Sequence, residues 1–240
     1  MTPDPAGKAA TRVSDPQTWN MYAYALNNPG RYTDPLGLYE TNCGNDEKCQ
    51  KEAARFEESR QRNLKSHDAN VRNAAAAYGD PGDPNGVTVS FVSGKEIGGD
   101  WGNTTGRLAT DEKGNIRPVI QVKIQKGLDE RQLDSASAHE GSHVADRFGF
   151  VRSIKEDFTF NRTLNLTQYE TERKAYRNIE GAFARALGMI SLGSTGSYIL
   201  RGTDLPAQMD QTINQFLADP ANRYNLTPQT PGLRLFPGLD

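Results

Sequence analysis

Histidine is scarce in this chain: three occur in 240 residues. Any chemistry that needs several imidazoles must draw on these three. Cysteine is scarcer, with two, Cys43 and Cys49. A zinc knuckle would need further ligands nearby, and none follow. The pair forms either a small disulfide loop, as suits an exported protein, or two free thiols. Charge of one sign is not in excess: 28 Lys and Arg stand against 30 Asp and Glu, a net charge of −2. That removes any electrostatic argument for nucleic acid or a membrane surface as partner. No apolar run approaches the roughly 20 residues needed to span a bilayer. Met1-Thr2-Pro3-Asp4-Pro5 lacks the apolar stretch of a signal peptide, so export would need another carrier. Glycine (23) and proline (13) are plentiful, and 35% of residues are hydrophobic. These values describe a soluble, loop-rich protein with length enough for one sizeable core.

The first forty residues are rich in Pro, Asn, Asp and Tyr, with turns at Asp15-Pro16, Asn28-Pro29-Gly30 and Asp34-Pro35. They read as an extended segment without a core. Residues 46–78 read as one helix with Phe56, Leu64, Val71 and Ala74–Ala77 on its apolar side. After a Gly/Pro break at 79–86, residues 87–92 read as a strand and 94–106 as an irregular loop. Residues 117–124 alternate Ile120, Val122 and Ile124 against Val119, Gln121 and Lys123, which predicts a half-buried strand. Residues 111–115 before it form a turn, with 107–109 as a candidate hairpin partner. A helix follows from Asp129 or Asp134 to Arg147, with Gly149 as its stop. Residues 167–190 form a second helix, opened by a Thr167/Glu170 capping box. The tail carries Gly and Ser turns, a short helix at 206–218 and a Pro-rich end.

Two of the three histidines fall in His139-Glu140-Gly141-Ser142-His143, an H-E-x-x-H pattern. Residues four apart share one face of a helix, so both imidazoles can reach a single metal ion. Glu140, beside the first ligand, can take a proton from water at that metal. His67 reads as a surface histidine. Gly141 costs about 1 kcal/mol relative to Ala in a helix interior. Either the cost is tolerated, or another backbone or a substrate passes close to this face.

A catalytic zinc needs a third protein ligand. Metzincin-type motifs would require Gly and then His or Asp at the third and sixth places after the second histidine. Those places hold Asp146 and Gly149. At 100° per residue, Glu172 falls inside the apolar stripe of the 167–190 helix (Tyr169, Tyr176, Ile179, Phe183, Leu187, Ile190). A carboxylate there needs a cation, which makes Glu172 the leading candidate. Glu180 borders the stripe and is the fallback. Glu170 lies roughly 160° from Glu172 and reads as a solvated cap. Asp146 either orients a ligand imidazole from behind or pairs with a base such as Arg147. Tyr176 either donates to a developing oxyanion or packs in the core.

Residues 15–38, with N-x-Y-x-Y-x-x-N-N-P and Y-x-D-P-x-G-L, resemble the end of the Rhs repeat-associated core. In that family the core ends a large β-cage, and a variable toxin or effector domain follows. The resemblance implies a C-terminal toxin delivered into a target cell within a larger Rhs protein, with that cage and an immunity protein as partners. Some members release the toxin by self-cleavage just after this motif. Asp34 matches the motif's aspartate, and without the cage no self-cleavage of this chain is expected. Residues 134–187, with A-H-E-G-S-H-V-A-D-R and Y-E-T-E-R-K-A-Y-R, are similar to predicted zinc metallopeptidase domains of bacterial toxins. In gluzincin-like enzymes a Glu on the helix after the motif is the third ligand, and Glu172 occupies that place. Their fold sets an edge strand beside the active-site helix to align a peptide substrate, a part that strand 117–124 is expected to play.

The expectation is an α+β, zincin-like domain over residues 40–240, preceded by a core remnant over 1–39. His139, His143 and Glu172 would hold Zn2+, with Glu140 and Tyr176 in catalysis and a protein or peptide as substrate. The rivals are a nuclease carrying a coincidental H-E-x-x-H and a non-enzymatic binding module. The lack of a basic excess and of further histidines argues against the nuclease.

Overall fold

The computed structural model describes residues 39–41, 43–79, 85–110, 116–155, 157–193, 196–222 and 224–239. The Rhs-like segment therefore lies outside the described residues. The class is α+β. In chain order the elements are β1 (Glu40–Thr41), α1 (Glu47–Leu64), α2 (Ala69–Ala76), β2 (Val87–Val92), β3 (Gly102–Thr110), β4 (Ile116–Gln125), α3 (Glu130–Arg152), α4 (Gln168–Ala175), α5 (Gly181–Leu187), β5 (Met189–Leu192), β6 (Tyr198–Arg201) and α6 (Pro206–Ala218). No helix among the described residues is long and apolar enough to cross a membrane.

Four strands form one sheet in the order β1-β2-β4-β3, with β3 antiparallel to β4 and the other pairs parallel. The alternation read from β4 is seen in its packing. Ile120, Val122 and Ile124 join Val87, Val89 and Phe91 on one face, against Phe56 of α1 and Leu133, Ala136 and Val144 of α3. A second core gathers Leu192, Leu200, Ile213, Phe216 and Leu217 around the β5–β6 hairpin and α6. The C-terminal segment returns to the start of α4, where Gln168 N–H donates to the Leu233 carbonyl at 2.7 Å. Cys43, ahead of α1, is disulfide-bonded to Cys49 in its first turn.

Several expectations need correction. The 46–78 helix is two helices, because Asp68 accepts from Asn70 N at 2.8 Å and starts α2 afresh. Residues 94–106 are not all loop: after a 3-10 turn at Gly94–Ile97, β3 begins at Gly102. Strand 117–124 lies inside the sheet, and β3 is the edge beside α3. Gly149 does not stop α3, which runs to Arg152. Phe150, fully buried against Phe160 and Phe236, stabilises that extension by more than the ~1 kcal/mol cost of the glycine. The stretch after 191 forms the β5–β6 hairpin.

The 167–190 helix is interrupted by a π turn at Tyr176–Glu180, where Gly181 N–H donates to the Tyr176 carbonyl. The extra residue rotates everything beyond it by about 100°. Leu187 is thereby left exposed, Phe183 stays half-buried against Val71, Ala74 and Ile179, Ala182 and Ala184 are buried, and Ile190 lies in β5.

Candidate metal centre

Helix α3 brings His139, Glu140 and His143 to the rim of the sheet, and its rear face is pinned. Ser137 Oγ lies 2.8 Å from Ser59 Oγ and accepts from Asn63 Nδ2 at 2.9 Å. Tyr78 OH donates to the Ser137 carbonyl at 2.8 Å. A Cβ on Gly141 would lie 2.3 Å from the Ala74 carbonyl oxygen of α2. The backbone that approaches Gly141 is therefore helix α2.

One ligand atom from each of His139, His143 and Glu172 falls within 4.8 Å of the other two, a group that can hold a metal ion. Glu172 Oε2 is 3.2 Å from His139 Nε2 and 3.6 Å from His143 Nε2. The far side of each ring is also engaged. Glu180 Oε1 lies 2.9 Å from His139 Nδ1, and Thr171 Oγ1 lies 2.9 Å from His143 Nδ1. Thr171 spends its one hydroxyl proton on Asp146 Oδ2 at 2.6 Å, so it can only accept from His143. Each ring thus gives its Nδ1–H to the oxygen behind it and turns Nε2 toward Glu172, the nitrogen that a metal would take once it carries no proton. Two imidazole nitrogens and one carboxylate oxygen are a donor set that suits zinc.

Burial opposes charge on Glu172, but the His143 and His139 imidazoles outweigh it and hold the carboxyl well below the usual range. Burial likewise opposes charge on His139, and there Glu180 and Glu172 outweigh it, holding the imidazole well above its ordinary value. Burial pushes Glu140 up, against the pull of His143 and His139. Its carboxylate accepts from Thr104 Oγ1 of β3 at 2.6 Å. A Cβ on Gly102 would lie 2.5 Å from Glu140 Cγ, so the bare glycine leaves room for that side chain.

Glu140 stands between two cavities. One of about 230 Å³ is walled by Trp101, His139, Tyr176, Leu192 and Phe216. The other, about 300 Å³, is walled by Thr104, His143, Arg147, Glu172 and Arg234. Tyr224 borders both. The Tyr176 ring sits edge-on to His139 with centroids 4.8 Å apart, and its hydroxyl lies 3.0 Å from that of Tyr224. Burial, with Glu172 nearby, raises the pKa of both tyrosines well above normal.

Among the residues singled out from the sequence, His139, Glu140, His143, Glu172 and Tyr176 are brought together. Glu170 caps α4, accepting from Thr167 N at 2.7 Å, and His67 is exposed. Glu180 lies behind His139 instead of beside Glu172 at the ligand position. Asp146 is buried and pairs with Lys174 rather than Arg147, and it acts on His143 through Thr171. Sequence reasoning missed Thr104, Thr171, Arg147 and Tyr224. Thr171 was reachable, since it adjoins Glu172; Tyr224, in an aperiodic stretch, carries no local signal. Comparison with models of known families, with curated proteins and with solved structures finds no match to this chain.

Proposed function

We propose that this chain is a zinc-dependent peptidase of the zincin-like type, acting as the C-terminal effector of an Rhs-type toxin. What carries the reading is the pair of imidazoles fixed with both Nε2 atoms toward Glu172, with the Glu140 carboxylate beside them in the cleft. Bound there, zinc would acidify water and polarise a peptide carbonyl. Glu140 takes the proton and passes it to the leaving amine. Its raised pKa makes it a stronger base than an exposed carboxylate. The Tyr176–Tyr224 pair spends one hydroxyl proton between its members and keeps one to donate to the carbonyl oxygen as charge develops. The edge strand β3 offers main-chain groups to an extended peptide. The Rhs part rests on residues 15–38 alone, as do an immunity protein and the parent cage as partners.

Metal content by plasma mass spectrometry tests the centre. One zinc per chain is expected, lost in Glu172→Ala and kept in Glu170→Ala. Glu140→Gln should keep the zinc and lose turnover of a peptide mixture. No zinc in metal-replete wild-type protein would overturn the reading.

A further inference from the structure

Arg147 is a buried cation with no carboxylate in direct contact. It is 8% exposed, and among the described residues no carboxylate lies within ion-pair distance of it. Its guanidinium donates to two main-chain carbonyls, His143 at 3.2 Å and Thr104 at 3.0 Å, and Nε has no partner. The nearest acids are committed elsewhere: Asp146 to Lys174 and Thr171, Glu140 to Thr104. Two glycine-lined positions of β3 make room for side chains from α3. A Cβ on Gly106 would lie 2.7 Å from Arg147 Nε, as one on Gly102 would strike Glu140. Glu140, Asp146 and Glu172 act on Arg147 only beyond ion-pair distance; a buried cation without a directly bonded counter-charge is costly, and a site that keeps one is organised to receive an anion.

The position of Arg147 says where that anion would come from. Gln125 N donates to the Trp101 carbonyl, so by the β3–β4 register Trp101, Asn103 and Thr105 face β4, and Gly102, Thr104 and Gly106 turn their main-chain groups to the free edge. Arg147 occupies the Thr104 carbonyl on that edge. An extended peptide cannot pair past that point, so the cleft ends there. Arg147 is also one helical turn beyond His143, about 6 Å along α3, which is one to two residues of extended chain. A divalent ion would offset Glu140 and Glu172 on this cavity wall, which Arg147 shares.

Resting on the peptidase reading above, we propose that Arg147 closes the His143 end of the cleft and receives a substrate carboxylate, one or two residues beyond the scissile bond. That carboxylate is either the C-terminus of the chain or an Asp or Glu side chain.

The test uses the full zinc-loaded chain and acetylated hexapeptide mixtures with a free C-terminal carboxylate or a C-terminal amide, products being read by mass spectrometry. Free acids should be cleaved about tenfold faster or more, the size of one charge-assisted pair. If acidic side chains serve as well, amides with Asp or Glu in the last two places will match the acids. If only the chain end serves, they will not. Arg147→Gln should erase the preference and keep one zinc. Equal cleavage of acids and neutral amides, or a preference that survives Arg147→Gln, overturns the proposal. Cleavage of neither set would instead count against the peptidase reading, and the site is then read without activity or a variant that must fold. The Nε–H resonance of Arg147 in wild-type protein should shift with 3-phenylpropanoate and not with 3-phenylpropanamide. Absence of that difference also overturns the proposal.

Discussion

Glu180 Oε1 lies 2.9 Å from His139 Nδ1, on the side of the ring opposite Glu172. The π turn at Tyr176–Glu180 makes this possible. Eight residues of ideal helix put Glu180 about 80° from Glu172, and removing one residue's rotation brings it to about 20°. One interrupted helix thus supplies a group for each nitrogen of the same imidazole. Glu180→Gln should weaken zinc binding about 10- to 100-fold, the usual effect of losing a carboxylate behind a ligand histidine. Competition with a fluorescent chelator measures it, and unchanged affinity would show that Glu180 does not orient the ring.

Thr171 does for His143 what Glu180 does for His139, with Asp146 and Lys174 behind it. Thr171→Val keeps the shape and removes the oxygen. Zinc affinity is expected to fall about tenfold and to recover in Thr171→Ser. Failure of serine to rescue would point to packing instead.

Zinc affinity should rise with pH. In protein stripped by chelation, burial opposes charge on His139, but Glu180 and Glu172 hold its pKa well above the ordinary 6.5. A pKa raised on folding stabilises the fold fully below the unfolded value, and that contribution is lost as pH climbs through the folded value. Zinc must displace the same proton, so its apparent affinity climbs across that window and binding releases about one proton. Calorimetry in buffers of different ionisation enthalpy counts the proton, and a release near zero below the folded pKa would contradict the assignment.

Gly141→Ala should destabilise the protein although alanine favours helix by about 1 kcal/mol. The new Cβ would meet the Ala74 carbonyl oxygen at 2.3 Å, and overpacking of this kind costs about 1–3 kcal/mol. Urea denaturation measures it; a gain in stability would mean that α2 yields easily.

Gly102→Ala meets a side chain instead of backbone. Its Cβ displaces the Glu140 carboxylate, so turnover should fall about 100-fold, the scale of losing a positioned general base, while zinc content and melting temperature change little. A large stability loss with normal residual turnover would contradict this.

His139, Glu140 and His143 were legible in sequence because helical spacing is a local rule and α3 obeys it. Glu172 was legible for a related reason: a carboxylate inside an apolar stripe demands a cation. The buried face of β4 followed from its alternation. Tertiary contacts decided the rest. Gly149 is passed because Phe150 is anchored by Phe160 and Phe236 from distant segments. The edge position went to glycine-rich β3, whose pattern reads as loop because its helix-facing side must stay bare for Glu140 and Arg147. Glu180 and Tyr224 joined the site through a π turn and a returning C-terminal segment, neither of which leaves a periodic trace. Sequence determined which residues can bind a metal; only the packed chain decided which groups stand behind them and where the cleft ends, because those depend on contacts between residues far apart along the chain.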